Sequence, residues 1–140
     1  MSERTDRLRR GYEAFGKTGE TEADFFAPDF ELRQQASSII DTAGVFRGKD
    51  AVRGVMQELE ESFEEIDMEI EDLIEAPAGE VVALVRICGR GRGSRIEIDN
   101  HIAHVWSFRD DKAVRLVVYE EPTEALDAVG LRESHSATDS

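Results

Sequence analysis

The stretch Asn-His-Ile-Ala-His-Val-Trp, residues 100–106, places two polar side chains within an otherwise apolar strand face. Its β-branched and aromatic residues, with few breakers, predict a β-strand. Even positions from Ile96 to Phe108 read Ile, Ile, Asn, Ile, His, Trp and Phe. Asn100 and His104 therefore share a face with Ile102 and Trp106. A buried polar group needs a hydrogen-bond partner or it costs stability. Either the core satisfies the two, or they line a pocket in which His104 could donate, accept or carry a proton. Tyr12 raises the same choice: it lies on an apolar helical stripe, and its hydroxyl either sits at the rim of the core or faces a ligand.

Other chemistry has less support. His101 and His104 are an odd number of residues apart, so a regular strand puts them on opposite faces and no metal pair results. No metal site is expected. Cys88 has no neighbouring cysteine and no evident activating base, which predicts a small packed residue. No Gly-x-Ser-x-Gly element supports a serine nucleophile. Gly-Arg-Gly-Arg-Gly-Ser-Arg, residues 89–95, invites a phosphate reading. Phosphate loops lead from a strand into a helix, whereas this one joins two strands, so a hairpin with bulges is expected. Arg86 interrupts the apolar run Ala-Leu-Val-Arg-Ile-Cys, and its face depends on the strand register.

The elements that would position these residues are legible from periodicity. Leu8, Tyr12 and Phe15 form the stripe of a helix over 3–16. A short helix is expected at about 21–27, closed by Pro28, then a strand with Phe30 and Leu32 inward. Residues 36–48 read as a loop. Ala51, Val52, Val55, Met56, Leu59 and Phe63 mark a helix over 49–65, with a solvated acidic face opposite. From Ile66 the period becomes two. Three further strands follow, joined by short connections, and Pro122 and Gly130 bracket a terminal helical turn. Helices first and antiparallel strands after give an α+β class. One domain over 1–131 is expected, with a polar tail at 132–140.

Composition excludes some partners. The chain has 140 residues, 40% apolar and 34% charged, with a net charge of −14. Such acidity opposes binding to nucleic acid or to an anionic membrane. No apolar stretch approaches the length of a membrane span, and the N-terminus lacks a hydrophobic signal core. One cysteine fits a reducing compartment, so a cytoplasmic protein is expected.

The order of elements resembles the nuclear-transport-factor-2-like superfamily, and within it the SnoaL-like branch. Three stretches carry the resemblance. Leu8–Arg33 is similar to the family's opening helix and its Phe-Ala-Pro-Asp exit into the first strand. Gly44–Met56 is similar to the approach to its third helix, and His104–Leu131 to its final hairpin and closing segment. The resemblance implies a cone: a strongly curved, mostly antiparallel sheet wrapped around about three N-terminal helices, with a pocket at the open end, often in a homodimer.

The resemblance also implies roles. Ketosteroid isomerases of this fold hold an enolate oxygen with a tyrosine and a protonated aspartic acid. Tyr12 resembles that tyrosine, and His104 stands where the acid would be. Both could donate hydrogen bonds to a carbonyl or enolate oxygen. The isomerases' general-base aspartate corresponds here to Gln34, which cannot accept a proton usefully. SnoaL-type cyclases carry an acid on the last strand, near Glu120 and Glu121. Limonene-epoxide-hydrolase-like members use an Asp-Arg-Asp cluster; Arg86 resembles its arginine, but Cys88 stands in place of an aspartate. No catalytic set is complete. The expectation is a pocket for a small, largely apolar molecule with an oxygen function. Tyr12 and His104 donate to that oxygen, Asn100 orients it, and Phe15, Phe26, Gln34, Arg86, Trp106 and Tyr119 complete the lining. Proton transfer next to a carbonyl would need Asp41, His104 or Glu121 as base. No cofactor is implied. The alternative is a non-catalytic ligand-binding or dimerisation module.

Overall fold

A computed structural model describes residues 3–18, 25–34, 44–48, 51–110 and 112–131. In chain order the elements are α1 (Glu3–Thr18), β1 (Phe26–Gln34), β2 (Gly44–Arg47), α2 (Ala51–Ser62), β3 (Phe63–Glu75), β4 (Val81–Gly91), β5 (Glu97–Arg109), β6 (Lys112–Tyr119) and α3 (Pro122–Ala128). The strands form one curved, open sheet in the order β2-β1-β6-β5-β4-β3. Every neighbouring pair is antiparallel except β1 and β6, which run parallel. Ladder interruptions between Glu64 and Asp67, Ile70 and Asp72, Ser107 and Phe108, and Phe26 and Glu31 supply the bends a curved sheet requires.

Alternation along these strands separates two apolar layers. The inner layer takes Phe30 and Leu32 from β1, Val81, Ala83, Val85 and Ile87 from β4, Ile102 and Trp106 from β5, and Leu116 from β6. Leu8 of α1 is buried among them at 1% exposure, and Tyr12, one turn later on the same helical face, packs against the cluster. The outer layer is smaller: Ala125 and Leu126 of α3 cover Val82, Ala103 and Val105. Pro122 opens α3. Gly130, at a φ of 80°, closes it, with the Leu131 amide donating back to the Leu126 carbonyl.

Three expectations need correction. Phe26 and Ala27 belong to β1 rather than to a helix, and Pro28 sits inside the strand. The β1–β6 ladder is interrupted across Pro28, so its missing N–H breaks no regular pairing. Gly44–Arg47 is a short edge strand, not loop; four residues are too few for periodicity to reveal. The third strand begins at Phe63 instead of Ile66, because Phe63 satisfies both the helical stripe and the strand alternation. The Gly-Arg repeat is the β4–β5 hairpin, as expected. The Gly91 amide donates to the Ile96 carbonyl, and Gly93 adopts a φ of 83°. Arg92 then ties this hairpin to the end of α2, its Nε donating to the Glu60 carbonyl at 2.7 Å. The tail expected at 132–140 lies outside the described residues.

Candidate functional site

On the inner face of β5, His104 is the polar side chain between Ile102 and Trp106. Its register partners are Ala83 on β4 and Val118 on β6. Ala83 is fully buried and small, so the imidazole is not crowded from that side. Trp106 pairs with Val81 and Leu116. Beyond it the interior is filled by aromatic rings. Phe25 lies 5.5 Å and Phe30 6.3 Å from the indole, centroid to centroid.

Helix α1 brings Tyr12 onto this face. The Trp106 Nε1–H donates to the Tyr12 hydroxyl oxygen at 2.9 Å. That hydroxyl lies 2.5 Å from His104 Nδ1, with the two rings within 13° of parallel. Burial holds the Tyr12 phenol well above its ordinary pKa, partly offset by the Trp106 hydrogen bond. Burial also pushes the His104 imidazolium down to about 4. At neutral pH all three side chains are uncharged. Nothing among the described residues bonds to His104 Nε2. The arrangement can therefore hold a ligand oxygen by hydrogen bonding without placing a charge in the apolar interior.

The other expected site residues distribute around the sheet. Gln34 is buried on the inner face in the same cross-strand row, since it and His104 both pair with Val118. Two strand spacings place it roughly 10 Å from His104. Asn100 shares the inner face, opposite Ile87, but lies four residues along β5 from His104. At about 3.3 Å per residue that is roughly 13 Å, too far to orient the same oxygen. Phe26 is packed in the aromatic core, 6.3 Å from the Trp106 ring, so it backs the indole. Asp41 and the Phe15 side chain lie outside the described residues.

Three candidates belong elsewhere. Arg86 is on the outer face, where its Nε and Nη2 donate to the two carboxylate oxygens of Asp99 at 2.8 and 2.7 Å. Even positions of β4 point outward, and past Leu84 the outer layer gives way to charged groups. Tyr119 packs with α3 in the outer layer. Glu121 is exposed at the start of α3, also outside the sheet. Neither reaches the inner face, which removes Glu121 as a base there. The Tyr12–Trp106 contact was not anticipated. A signal for it existed: an inward indole N–H two residues from His104 needs an acceptor.

The profile of the SnoaL-like domain matches residues 8–116. The chain belongs to the SnoaL-like family. No curated protein matches the sequence. Among solved structures, an NTF2-like protein of unknown function from Burkholderia pseudomallei superposes with a TM-score of 0.69 at 20% identity, covering 92% of this chain and 98% of that one. TerC, crystallised with polyporic acid, gives 0.69 at 16% identity over 91% and 98%. A protein of ketosteroid isomerase-like fold from Catenulispora acidiphila, in complex with trimethylamine, gives 0.62 at 15% identity over 94% and 95%. At these identities the likeness concerns fold. No helix among the described residues is long and apolar enough to cross a membrane.

Proposed function

We propose that this SnoaL-like domain binds a small, largely apolar molecule carrying an oxygen function, with His104 at the polar point of the pocket and Trp106 in its wall. The observation that carries this reading is the uncharged Trp106–Tyr12–His104 network on the inner face, set among apolar neighbours. A core that needed only packing would not require an imidazole there. Two proteins of the same fold crystallised with small molecules, which favours the reading by analogy. The test is a titration with cyclic ketones, followed through the intrinsic fluorescence of Trp106, the single tryptophan. Saturable quenching with a rise in Tm supports the pocket; no response across ketones of one to three rings rejects it.

Binding without turnover is the form the geometry favours. Gln34, which stands where the related isomerases carry their base, is buried on the inner face and does not titrate. Enolisation next to a bound carbonyl, as in an isomerase or cyclase, is the second reading, because a donor at His104 could stabilise an enolate. Deuterium incorporation beside the carbonyl of a bound ketone, faster than in buffer, would establish it. A homodimer also belongs to this proposal, on fold analogy. On the outer face α3 covers Ala103 and Val105, and Val118 points inward, which limits the apolar surface a partner could use there. Sedimentation equilibrium showing only monomer at micromolar concentration removes the dimer.

A further inference from the structure

Each arginine on the outer face of β4 meets two carboxylates. Arg86 is flanked by Asp99 and Glu69, and Arg90 by Glu65 and Glu97. On β5, Arg109 pairs with Asp29. Around Glu31 the ratio inverts: Arg33 of β1, Arg47 of β2 and Arg115 of β6 share this one carboxylate. Register gathers them. Glu31 stands between Arg47 and Arg115 across the ladder, and Arg33 follows two residues along the same face. Three cations against one acid leave a local charge of +2 in a chain of net charge −14.

The geometry leaves donors facing outward. The Glu31 side chain is 10% exposed, whereas all three arginine side chains are more than half exposed, so the carboxylate forms the floor and the guanidinium groups the rim. Arg33 and Arg115 both donate to Glu31 Oε2 through Nε, at 3.1 and 3.2 Å, which sets the two guanidinium planes beside each other. Each keeps both Nη groups without a hydrogen-bond partner among the described residues. Paired forks of this kind suit a tetrahedral oxyanion, which accepts hydrogen bonds from both at once. We infer that Arg33, Arg47 and Arg115 form a binding site for a single phosphate-type dianion, as the free ion or as the ester of a small molecule, on the face of the sheet opposite His104. The inference is independent of the inner pocket. A charge of +2 matches one dianion, and the acidity of the rest of the chain opposes anything larger of the same sign. Glu31 holds the two forks together against their mutual repulsion and leaves their outer ends to the anion.

The experiment uses the full chain labelled with nitrogen-15 and follows the arginine Nε–Hε signals as inorganic phosphate replaces chloride at constant ionic strength and neutral pH. Signals are assigned by their loss in Arg33→Gln, Arg115→Gln and Arg86→Gln. Saturable shifts are expected at Arg33 and Arg115, with Arg86 unmoved. Arg33→Gln and Arg115→Gln should each weaken phosphate binding by about 3–10-fold, the loss of one charge-assisted contact at a half-exposed site. Arg86→Gln, whose arginine is already engaged by Asp99, should leave affinity unchanged. The Tm of the unsubstituted chain should also rise in phosphate over chloride at equal ionic strength, a readout that needs no variant. Phenyl phosphate is the second probe: tighter binding than inorganic phosphate marks an ester as the occupant, and weaker binding marks the free ion. Benzoate, a monoanion, should bind more weakly than phenyl phosphate. Shifts that never saturate and spread over all arginines, or an equal loss of affinity in Arg86→Gln, overturn the site in favour of general screening. Benzoate matching phenyl phosphate overturns the dianion. Unmoved signals and Tm at tens of millimolar phosphate overturn the inference and leave the cluster as a structural staple alone.

Discussion

The Tyr12 hydroxyl meets His104 Nδ1 across 92 residues of sequence, joining the first helix to the fifth strand at 2.5 Å. Because the same oxygen accepts from Trp106, removing it disturbs two partners at once. Tyr12→Phe keeps the ring and its packing against the inner core but leaves the indole N–H and Nδ1 unsatisfied. An orphaned buried polar group costs about 1–3 kcal/mol. Urea denaturation of Tyr12→Phe is expected to show a loss of that order, with a changed Trp106 emission maximum. Wild-type stability with unchanged emission would mean that water replaces the hydroxyl freely and that the network is not enclosed.

The depressed pKa of His104 makes stability depend on pH. Its folded value of about 4 lies below the ordinary value of 6.5, so the unfolded chain takes up the proton first as pH falls. The contribution is complete above about pH 6.5 and is lost progressively between there and pH 4. A shift of this size corresponds to about 3 kcal/mol at most. Denaturation midpoints measured from pH 7.5 to 4.5 are expected to fall with a slope that His104→Gln flattens. An identical slope in the variant would assign the acid sensitivity to other groups.

Much of this arrangement was legible in the sequence, and the gaps have physical causes. Period-two alternation placed His101 and His104 on opposite faces, and His101 indeed turns outward to Glu71 at 2.7 Å. The hairpin at Gly91–Ile96 followed from glycine placement between two strand patterns. Arg86 was ambiguous because β4 is apolar on both faces: α3 covers its outer side at Val82, and only beyond Leu84 do charges take over. The meeting of Tyr12 with Trp106 could not be read from spacing, since it depends on how α1 crosses the sheet. β2 was missed because an edge strand of four residues leaves no periodic trace.

A second pH-dependent element sits on the outer face. Glu31 accepts from Arg33 Nε at 3.1 Å and Arg115 Nε at 3.2 Å, with Arg47 Nη2 at 3.5 Å. These residues come from three adjacent strands, so one carboxylate staples β2, β1 and β6. The guanidinium groups hold its carboxyl below the usual range, Arg33 foremost. Its contribution is present above the ordinary carboxylate pKa and is lost as pH falls through the lowered folded value, in a more acidic window than that of His104. Glu31→Gln leaves three guanidinium groups close together with no counter-charge. Its Tm is expected to drop more than that of Arg33→Gln, and added sulfate should recover part of the difference. Equal Tm values for the two variants would show that the cluster is a set of independent surface pairs.

Two substitutions separate the outer layer from the candidate site. Arg86 and Asp99 form a two-point pair, but both are substantially exposed and such pairs contribute little. Arg86→Ala is expected to leave both stability and ketone binding within error of wild type, because its side chain faces away from His104. Leu126→Ala acts differently. Leu126 is 7% exposed where α3 covers the outer sheet face, and truncating a buried leucine costs about 2–5 kcal/mol. His104 lies on the opposite side of β5, and its partner Ala83 faces inward with it. Leu126→Ala should therefore lower the denaturation midpoint while ketone affinity, measured well below that midpoint, stays within about 2-fold of wild type, a change under roughly 0.5 kcal/mol. If affinity falls tenfold or more in either variant, the two faces are coupled and the inner site is not set by the inner layer alone.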